Sequence, residues 1–322
     1  MKLPTANDLS LDGKTVLVRA DLDVNLKGDD YRLEVLIPTL EYLRDRKCKT
    51  ILIGHKGRPD GKKNDELSLG PVSKHLEGIL INLWGEDRVK QNELYMMENL
   101  RFDLGEETNN KEYTKHLAEN GEFYINEAFS NSHRAHSSIV GLPGLLTHAA
   151  GFHFIKEVEN LSLLWEKQGI VFVGGAKRDK LNYIDGLKKV FSKVLIGGRL
   201  PEYLPEDVSD PQLVIARLIP DKEDITIHSI EQFEKEARAA KYIFLAGPMG
   251  KFEEEGHRLG TKRVFEAVAN SNAVKIAGGG DTLQAISLLN LKEMFNWISV
   301  GGGAALEFIV KKTLPGIEAL LK

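Results

Sequence analysis

Residues 274–277 (Val274-Lys275-Ile276-Ala277) run directly into Gly278-Gly279-Gly280-Asp281-Thr282, and helical spacing follows over 281–289. A short apolar run, a glycine turn and a helix start read as one βα unit. Glycine lets backbone come close to a ligand, and a helix N-terminus favours negative charge. The same order recurs on both sides of this unit. Strand-like runs fall at 15–18, 50–53, 94–97, 123–125, 171–173, 194–196, 213–215, 242–245 and 297–300. Helical spacing falls between them at 34–46, 70–81, 109–119, 180–190, 229–240 and 260–270. Continuously apolar strands alternating with helices predict an α/β protein with parallel sheets covered by helices on both faces, a Rossmann-like arrangement. Ligands of such sheets bind beyond the C-terminal strand ends.

At 322 residues the chain suffices for two domains. The stretch 153–168 carries no Pro and a Gly-free amphipathic pattern, so it reads as a connecting helix or as an ordinary covering helix. Residues 199–225 hold Pro201, Pro205, Pro211 and Pro220 and read as loop plus one short strand. With a formal net charge of −4 and no basic stripe, nucleic acid is not expected. No run approaches the ~20 apolar residues of a membrane span. The single cysteine, Cys48, fits a reducing compartment and reads as a small buried hydrophobe. A cytoplasmic monomer is expected.

The chemistry-bearing residues divide between the halves. The strand ends of residues 1–138 carry Arg19 with Asp21, Gly54-His55-Lys56-Gly57-Arg58, Asn99-Leu100-Arg101 and His133-Arg134-Ala135-His136. Converging arginine forks suit a small ligand bearing phosphate and carboxylate; the other reading is scattered surface ion pairs. After residue 170 the strand ends carry Gly174-Gly175-Ala176-Lys177-Arg178-Asp179-Lys180, Gly197-Gly198, Gly247-Pro248-Met249-Gly250, Gly278-Gly279-Gly280 and Gly301-Gly302-Gly303. Glycine loops at helix starts suit a polyphosphate held by backbone N–H groups. Asp281 could face a Mg²⁺ or serve as a plain N-cap. Cations in one half and glycine loops in the other point to phosphate moved between two ligands.

Taken in order, these segments resemble phosphoglycerate kinases. Val18-Arg19-Ala20-Asp21-Leu22-Asp23 is similar to the family's Arg-Val-Asp-Phe-Asn run. Gly54-His55-Lys56-Gly57-Arg58-Pro59 resembles Ser-His-Leu-Gly-Arg-Pro, and Glu98-Asn99-Leu100-Arg101-Phe102 matches. Arg32, six residues before Pro38-Thr39, Asn126-Glu127-Ala128-Phe129 with His133-Arg134-Ala135-His136-Ser137-Ser138, the later glycine elements and Leu314-Pro315-Gly316 complete the set. The resemblance implies reversible phosphoryl transfer between 1,3-bisphosphoglycerate and ADP, giving 3-phosphoglycerate and ATP with Mg²⁺. It implies a phosphoglycerate-binding domain of residues 1–152 plus 310–322, a hinge helix at 153–168 and a nucleotide-binding domain at 169–309. Substrate would be held by Asp21, Asp23, Arg32, His55, Arg58, Arg101 and Arg134. Nucleotide would be held by Lys180, Glu253, Gly279, Gly280, Asp281 and Thr282, with Asp281 toward the metal. Arg32 and Lys177 would stabilise the phosphoryl group in flight.

The chain departs from the family pattern at several points. Asp23 stands where the family has asparagine, and unless protonated or paired it weakens anion binding. Lys177 and Lys180 are three apart where the family has four, a rotation of about 100° on an α-helix. Arg199, Ala246 and Val300 replace a glycine, an asparagine and a threonine. The chain is shorter than the family, chiefly between Gly198 and Asp224, where the base would be walled. Altered nucleotide choice, weak nucleotide recognition or a non-catalytic phospho-ligand binder are the alternatives.

Overall fold

The structure is a computed structural model and describes residues 2–26, 30–166, 169–205 and 208–322. The chain divides into two compact units, residues 1–157 with 313–322, and residues 158–312.

The first unit runs β1 (Thr15–Arg19), α1 (Tyr31–Glu34), α2 (Ile37–Asp45), β2 (Lys49–Ile53), α3 (Gly70–Trp84), α4 (Glu86–Gln91), β3 (Leu94–Met96), α5 (Leu104–Glu107), α6 (Lys111–Ala118), β4 (Phe123–Asn126) and β5 (Thr147–Ala150). Helix α7 (Phe152–Ser162) then leads into the second unit. That unit runs β6 (Ile170–Val173), α8 (Ile184–Val190), β7 (Lys193–Ile196), β8 (Leu213–Ile215), α9 (Ile227–Ala239), β9 (Tyr242–Ala246), α10 (Leu259–Ala269), β10 (Val274–Gly278), α11 (Gly280–Leu288), β11 (Trp297–Ser299) and α12 (Gly303–Lys311). The chain ends in α13 (Pro315–Leu320), which belongs to the first unit; Gly316 N donates to Ser132 O at 2.8 Å.

Every strand pairing is parallel. The first sheet has the order β3-β2-β1-β4-β5 and the second β11-β10-β9-β6-β7-β8. In each, the order reverses beside the first strand of its unit, at β1/β4 and at β6/β9. Crossovers that change direction at such a point place helices on both faces of the sheet. This is why the strands are apolar throughout: all of β6 is buried, as are Val16, Leu17 and Val18 of β1. Val16 and Val18 face a core with Leu40, Leu43, Leu52, Leu76 and Leu80. Cys48 is buried in the same core and directs Sγ to Leu11 O.

All ten strand-like runs form strands, and β5 adds an eleventh. Thr147-His148-Ala149-Ala150 has no apolar run to reveal it; pairing with β4 and a bridge from Thr5 to Ala150 hold it. The helix expected over 34–46 is two helices, because Pro38 lacks the N–H that a continuous ladder needs and instead opens α2. Over 180–190 the first turns are a 3₁₀ helix, Arg178–Tyr183, before α8. Between 199 and 225 lie a 3₁₀ turn (Leu200–Tyr203) and β8; Glu206 and Asp207 fall outside the described residues. Of the connecting stretch 153–168, α7 and a 3₁₀ turn (Leu163–Glu166) occupy the described part, and residues 167 and 168 lie outside it.

Candidate active site

The β1/β4 reversal opens a crevice beyond the C-terminal ends of the first sheet. β1 ends at Arg19 and leads to Asp21, β2 ends at Ile53 and leads to His55, and β4 ends at Asn126 before the Ser130–Ser138 segment. Arg19 is completely buried. Its Nε donates to Ser138 Oγ at 2.8 Å, Nη1 donates to Ala20 O, and Nη2 donates to His55 Nδ1 at 3.0 Å. Ser138 Oγ in turn donates to Glu106 Oε1 at 2.6 Å, and Glu106 Oε2 accepts from Ser138 N.

Asp21 brackets Arg32. Its Oδ1 accepts from Arg32 Nη1 at 3.1 Å and its Oδ2 accepts from Ser130 Oγ. Arg32 Nη1 also donates to Asp23 O at 3.0 Å. Both Asp21 oxygens are thus engaged, Oδ1 by the arginine and Oδ2 by Ser130. The Asp23 side chain is exposed and its Oδ1 accepts from Gly57 N at 3.0 Å, so this carboxylate is paired with a backbone dipole.

The Glu98-Asn99-Leu100-Arg101 turn works as a clasp. Asn99 Nδ2 donates to Lys56 O and Leu67 O while its Oδ1 accepts from Arg101 N. Arg101 is buried, and its Nη1 donates to Gly57 O at 2.8 Å. Its Nε lies 3.2 Å from Glu107 Oε1, too poorly aligned for a hydrogen bond, and its buried Nη2 has no hydrogen-bond partner among the described residues. A buried guanidinium donor normally finds an acceptor. Burial holds the Arg101 pKa below its ordinary value, with Arg134 and Arg19 adding repulsion against the pull of Glu107. Arg134 is half-buried with Nε on His133 Nε2, and Arg58 is exposed beyond the left-handed turn at Gly57.

Burial, followed by the charges of Arg19 and Arg101, pushes the His55 pKa far down. His136 is held at about 3 by burial, then by Arg101, Arg19 and Arg134. Both rings are therefore neutral at pH 7, while in the unfolded chain each titrates near about 6.5. Below that pH the unfolded chain binds more protons, so stability is full above about 6.5 and falls as pH drops toward 3. Urea midpoints should fall between pH 7 and 5, and His136→Asn should flatten that slope. An unchanged slope in the variant would contradict the assignment.

The second sheet reverses at β6/β9, and five glycine loops line its C-terminal edge in strand order. Their glycines do two different jobs. A Cβ at Gly174 would lie 2.2 Å from Pro248 O, one at Gly198 2.3 Å from Gly175 N, and one at Gly247 2.3 Å from Gly174 O. These three loops mesh backbone against backbone, also through Gly175 N donating to Pro248 O and Arg199 N to Gly175 O. Cβ atoms at Gly280 or Gly303 would meet nothing within 4 Å, and at Gly302 only Gly279 Cα at 3.8 Å. The backbone at the starts of α11 and α12 is therefore open, and no side chain caps either helix.

Asp281 is exposed in the first turn of α11. Thr282 is buried and its hydroxyl donates to Gly278 O at 2.9 Å, serving the strand end. Glu253 and Lys177 are exposed. Lys180 is turned inward: Nζ donates to Gly174 O at 2.7 Å and Ala246 O at 3.0 Å, tying the ends of β6 and β9. Burial lowers its pKa to about 8 against the opposing charge of Asp281. Lys177 is the extended, exposed N-cap of the 3₁₀ helix Arg178–Tyr183 and Lys180 lies within that helix, so the two lysines are placed differently.

The family model for phosphoglycerate kinase matches residues 6–205 and 208–312. The chain belongs to the phosphoglycerate kinase family. Phosphoglycerate kinase of Borreliella afzelii is 33% identical over 393 aligned positions that cover 100% of both chains. That of Dictyoglomus turgidum is 35% identical over 384, covering 97% of each. The solved phosphoglycerate kinase of Coxiella burnetii superposes with a TM-score of 0.79 at 27% identity, covering 99% of each chain. The alignment with the Borreliella protein is longer than the 322 residues here, so that relative carries segments this chain lacks. The protein is a phosphoglycerate kinase-family enzyme whose reaction is reversible phosphoryl transfer between 1,3-bisphosphoglycerate and ADP, a glycolytic step.

Three features of these sites carry no signal in the chain on its own. Arg19, Ser138 and Glu106 form a buried network, Ser130 locks Asp21, and Lys180 turns inward. One hint existed: an arginine ends the buried apolar run of β1.

Proposed function

We propose that the first unit binds 3-phosphoglycerate through Arg32, His55, Arg58, Arg101 and Arg134, with Asp21 and Asp23 shaping the cradle. The observation that carries this reading is the buried Arg101 fork, whose Nε and Nη2 have no hydrogen-bond partner among the described residues, set among cations that outnumber their carboxylates. A ligand bearing phosphate and carboxylate supplies the missing acceptors. Nucleotide binds on the second unit, with phosphates on the open backbone of Gly279 and Gly280 and ribose hydroxyls on Glu253. Lys177 meets the phosphoryl group, while Lys180 and Thr282 hold the loops from beneath. A magnesium ion accompanying the nucleotide fits the exposed Asp281 beside that open backbone, since one carboxylate suffices when phosphate oxygens and water complete the shell. Bound there it would neutralise phosphate charge.

The acceptor carboxylate is ionised at pH 7, so no general base is required. Catalysis then consists of positioning and of stabilising charge on the equatorial oxygens, the work assigned to Arg32 and Lys177. Donor and acceptor bind on different units, so hinge closure belongs to the cycle. The reading is of a cytoplasmic monomer; among the described residues no helix is long and apolar enough to cross a membrane.

A coupled assay with 1,3-bisphosphoglycerate and a panel of nucleoside diphosphates tests the reading. Turnover with ADP is expected. Intact 3-phosphoglycerate binding without turnover on any diphosphate would favour a non-catalytic binder. Asp23→Asn keeps the acceptor for Gly57 N and removes one negative charge near Arg101. Calorimetry should show 3-phosphoglycerate binding several-fold tighter; unchanged or weaker binding would mean that Asp23 does not face the anion.

A further inference from the structure

We infer that Arg19 is a positioning residue: through a buried relay anchored at Glu106 it holds His55 as the neutral Nε2–H tautomer, so that the ring presents a fixed donor to the anionic substrate. The inference rests on the reading of His55 as a substrate ligand.

The hydrogen bonds have only one consistent polarity. A guanidinium has donors and no acceptor, and it stays charged. The 3.0 Å contact between Arg19 Nη2 and His55 Nδ1 therefore requires a lone pair on Nδ1. The ring proton must then sit on Nε2. An imidazolium would leave no lone pair and would set two cations at hydrogen-bond distance. The same logic runs upstream. Ser138 Oγ has one proton, and it is directed to Glu106 Oε1 at 2.6 Å. The Ser138 oxygen is thereby left to accept from Arg19 Nε at 2.8 Å. Glu106 is completely buried and takes a second bond from Ser138 N, so the carboxylate end cannot rotate away. Polarity passes from Glu106 through Ser138 and Arg19 to His55, across four segments of the chain.

The surroundings add no competing partner. The charged and titratable groups acting on His55 are Arg19 from β1, Arg101 from the turn after β3, and Arg134 and His136 from the segment after β4. All are cations or a neutral ring. The carboxylate nearest in the network, Glu106, is spent on Ser138 and lies 3.8 Å from His136 Nδ1. Histidine by itself titrates near neutral pH; here Arg19 removes that option and exchanges a pH-dependent charge for a directed N–H.

Imidazole ¹⁵N spectra of the full chain, labelled at histidine and assigned with His55→Asn, test the relay. Between pH 5.5 and 8, wild-type His55 should show a protonated Nε2 and a bare Nδ1 that do not titrate. An Nδ1–H tautomer or a titrating ring in the wild type overturns the proposal, whether or not any variant folds. In Arg19→Met the ring should titrate or mix tautomers. Its kcat/KM for 3-phosphoglycerate should then change several-fold across pH 5.5–7.5, a dependence that simple loss of stability would not create. A folded Arg19→Met protein with wild-type ring signals and an unchanged pH profile also overturns it. The ligand reading fails separately: His55→Asn with unaltered KM for 3-phosphoglycerate would remove the functional half of the proposal.

Discussion

Arg32→Ala should lower kcat by about 10³-fold, the order seen when an arginine that meets a phosphoryl group in flight is removed, while KM for 3-phosphoglycerate rises far less. The arginine is held before substrate arrives. Asp21 Oδ1 and the Asp23 carbonyl both accept from Nη1, and Ser130 fixes the second Asp21 oxygen. A charge already in place costs no reorganisation when the three equatorial oxygens of the phosphoryl group take up negative charge. Ground-state binding is spread over several other cations, so losing one affects affinity less. Steady-state kinetics at saturating ATP, with 3-phosphoglycerate varied, separates the two terms. A raised KM with kcat unchanged would show that Arg32 binds the acid uniformly and has no special role in transfer. Asp21→Asn should reproduce part of the kcat loss, because it weakens the bracket but leaves the fork.

Gly198→Ala and Gly280→Ala should have opposite consequences. At Gly198 the φ is +60° and a methyl would lie 2.3 Å from Gly175 N and 2.6 Å from Gly175 O. Those atoms are backbone, tied by Gly175 N to Pro248 O and by Arg199 N to Gly175 O, and cannot swing aside. Overpacking and a left-handed alanine together cost roughly 2–5 kcal/mol. Gly280 meets nothing within 4 Å and opens α11, where alanine gains about 1 kcal/mol over glycine in intrinsic helix preference. Stability should hold or rise slightly in Gly280→Ala, while KM for ADP rises at least tenfold because the methyl stands where phosphate approaches the backbone. Denaturant unfolding and ADP kinetics on both variants check this. An unperturbed KM in Gly280→Ala would remove the open backbone from the nucleotide site, and an unperturbed midpoint in Gly198→Ala would contradict the meshed loops.

The reach of the sequence can be judged from particular elements. The runs at 15–18 and 171–173 declared parallel strands because both faces of such a strand are buried, which leaves an unbroken apolar record in consecutive residues. Arg32, His55 and Arg101 were legible because each stands within a specific local pattern. β5 was not legible: Thr147-His148-Ala149-Ala150 owes its conformation to the neighbouring β4 and to Thr5. Nor could spacing alone show that Lys180 falls on a 3₁₀ helix that Lys177 only precedes as its extended N-cap.

What local order determined is therefore the fold class, two sheets with cationic strand ends in one and glycine strand ends in the other. Tertiary structure alone decided which of those groups are left open and which are taken up inside the fold. Gly198 and Gly280 are the same letter, yet one is filled by a neighbouring backbone and the other opens outward. Lys180 and Lys177 are the same letter, yet one is bound to two carbonyls of different strands. Arg19 and Arg58 are the same letter, yet one is a buried link to His55 and the other is exposed. Each distinction depends on atoms tens of residues away in the chain, and a residue's own neighbours in sequence carry no record of them.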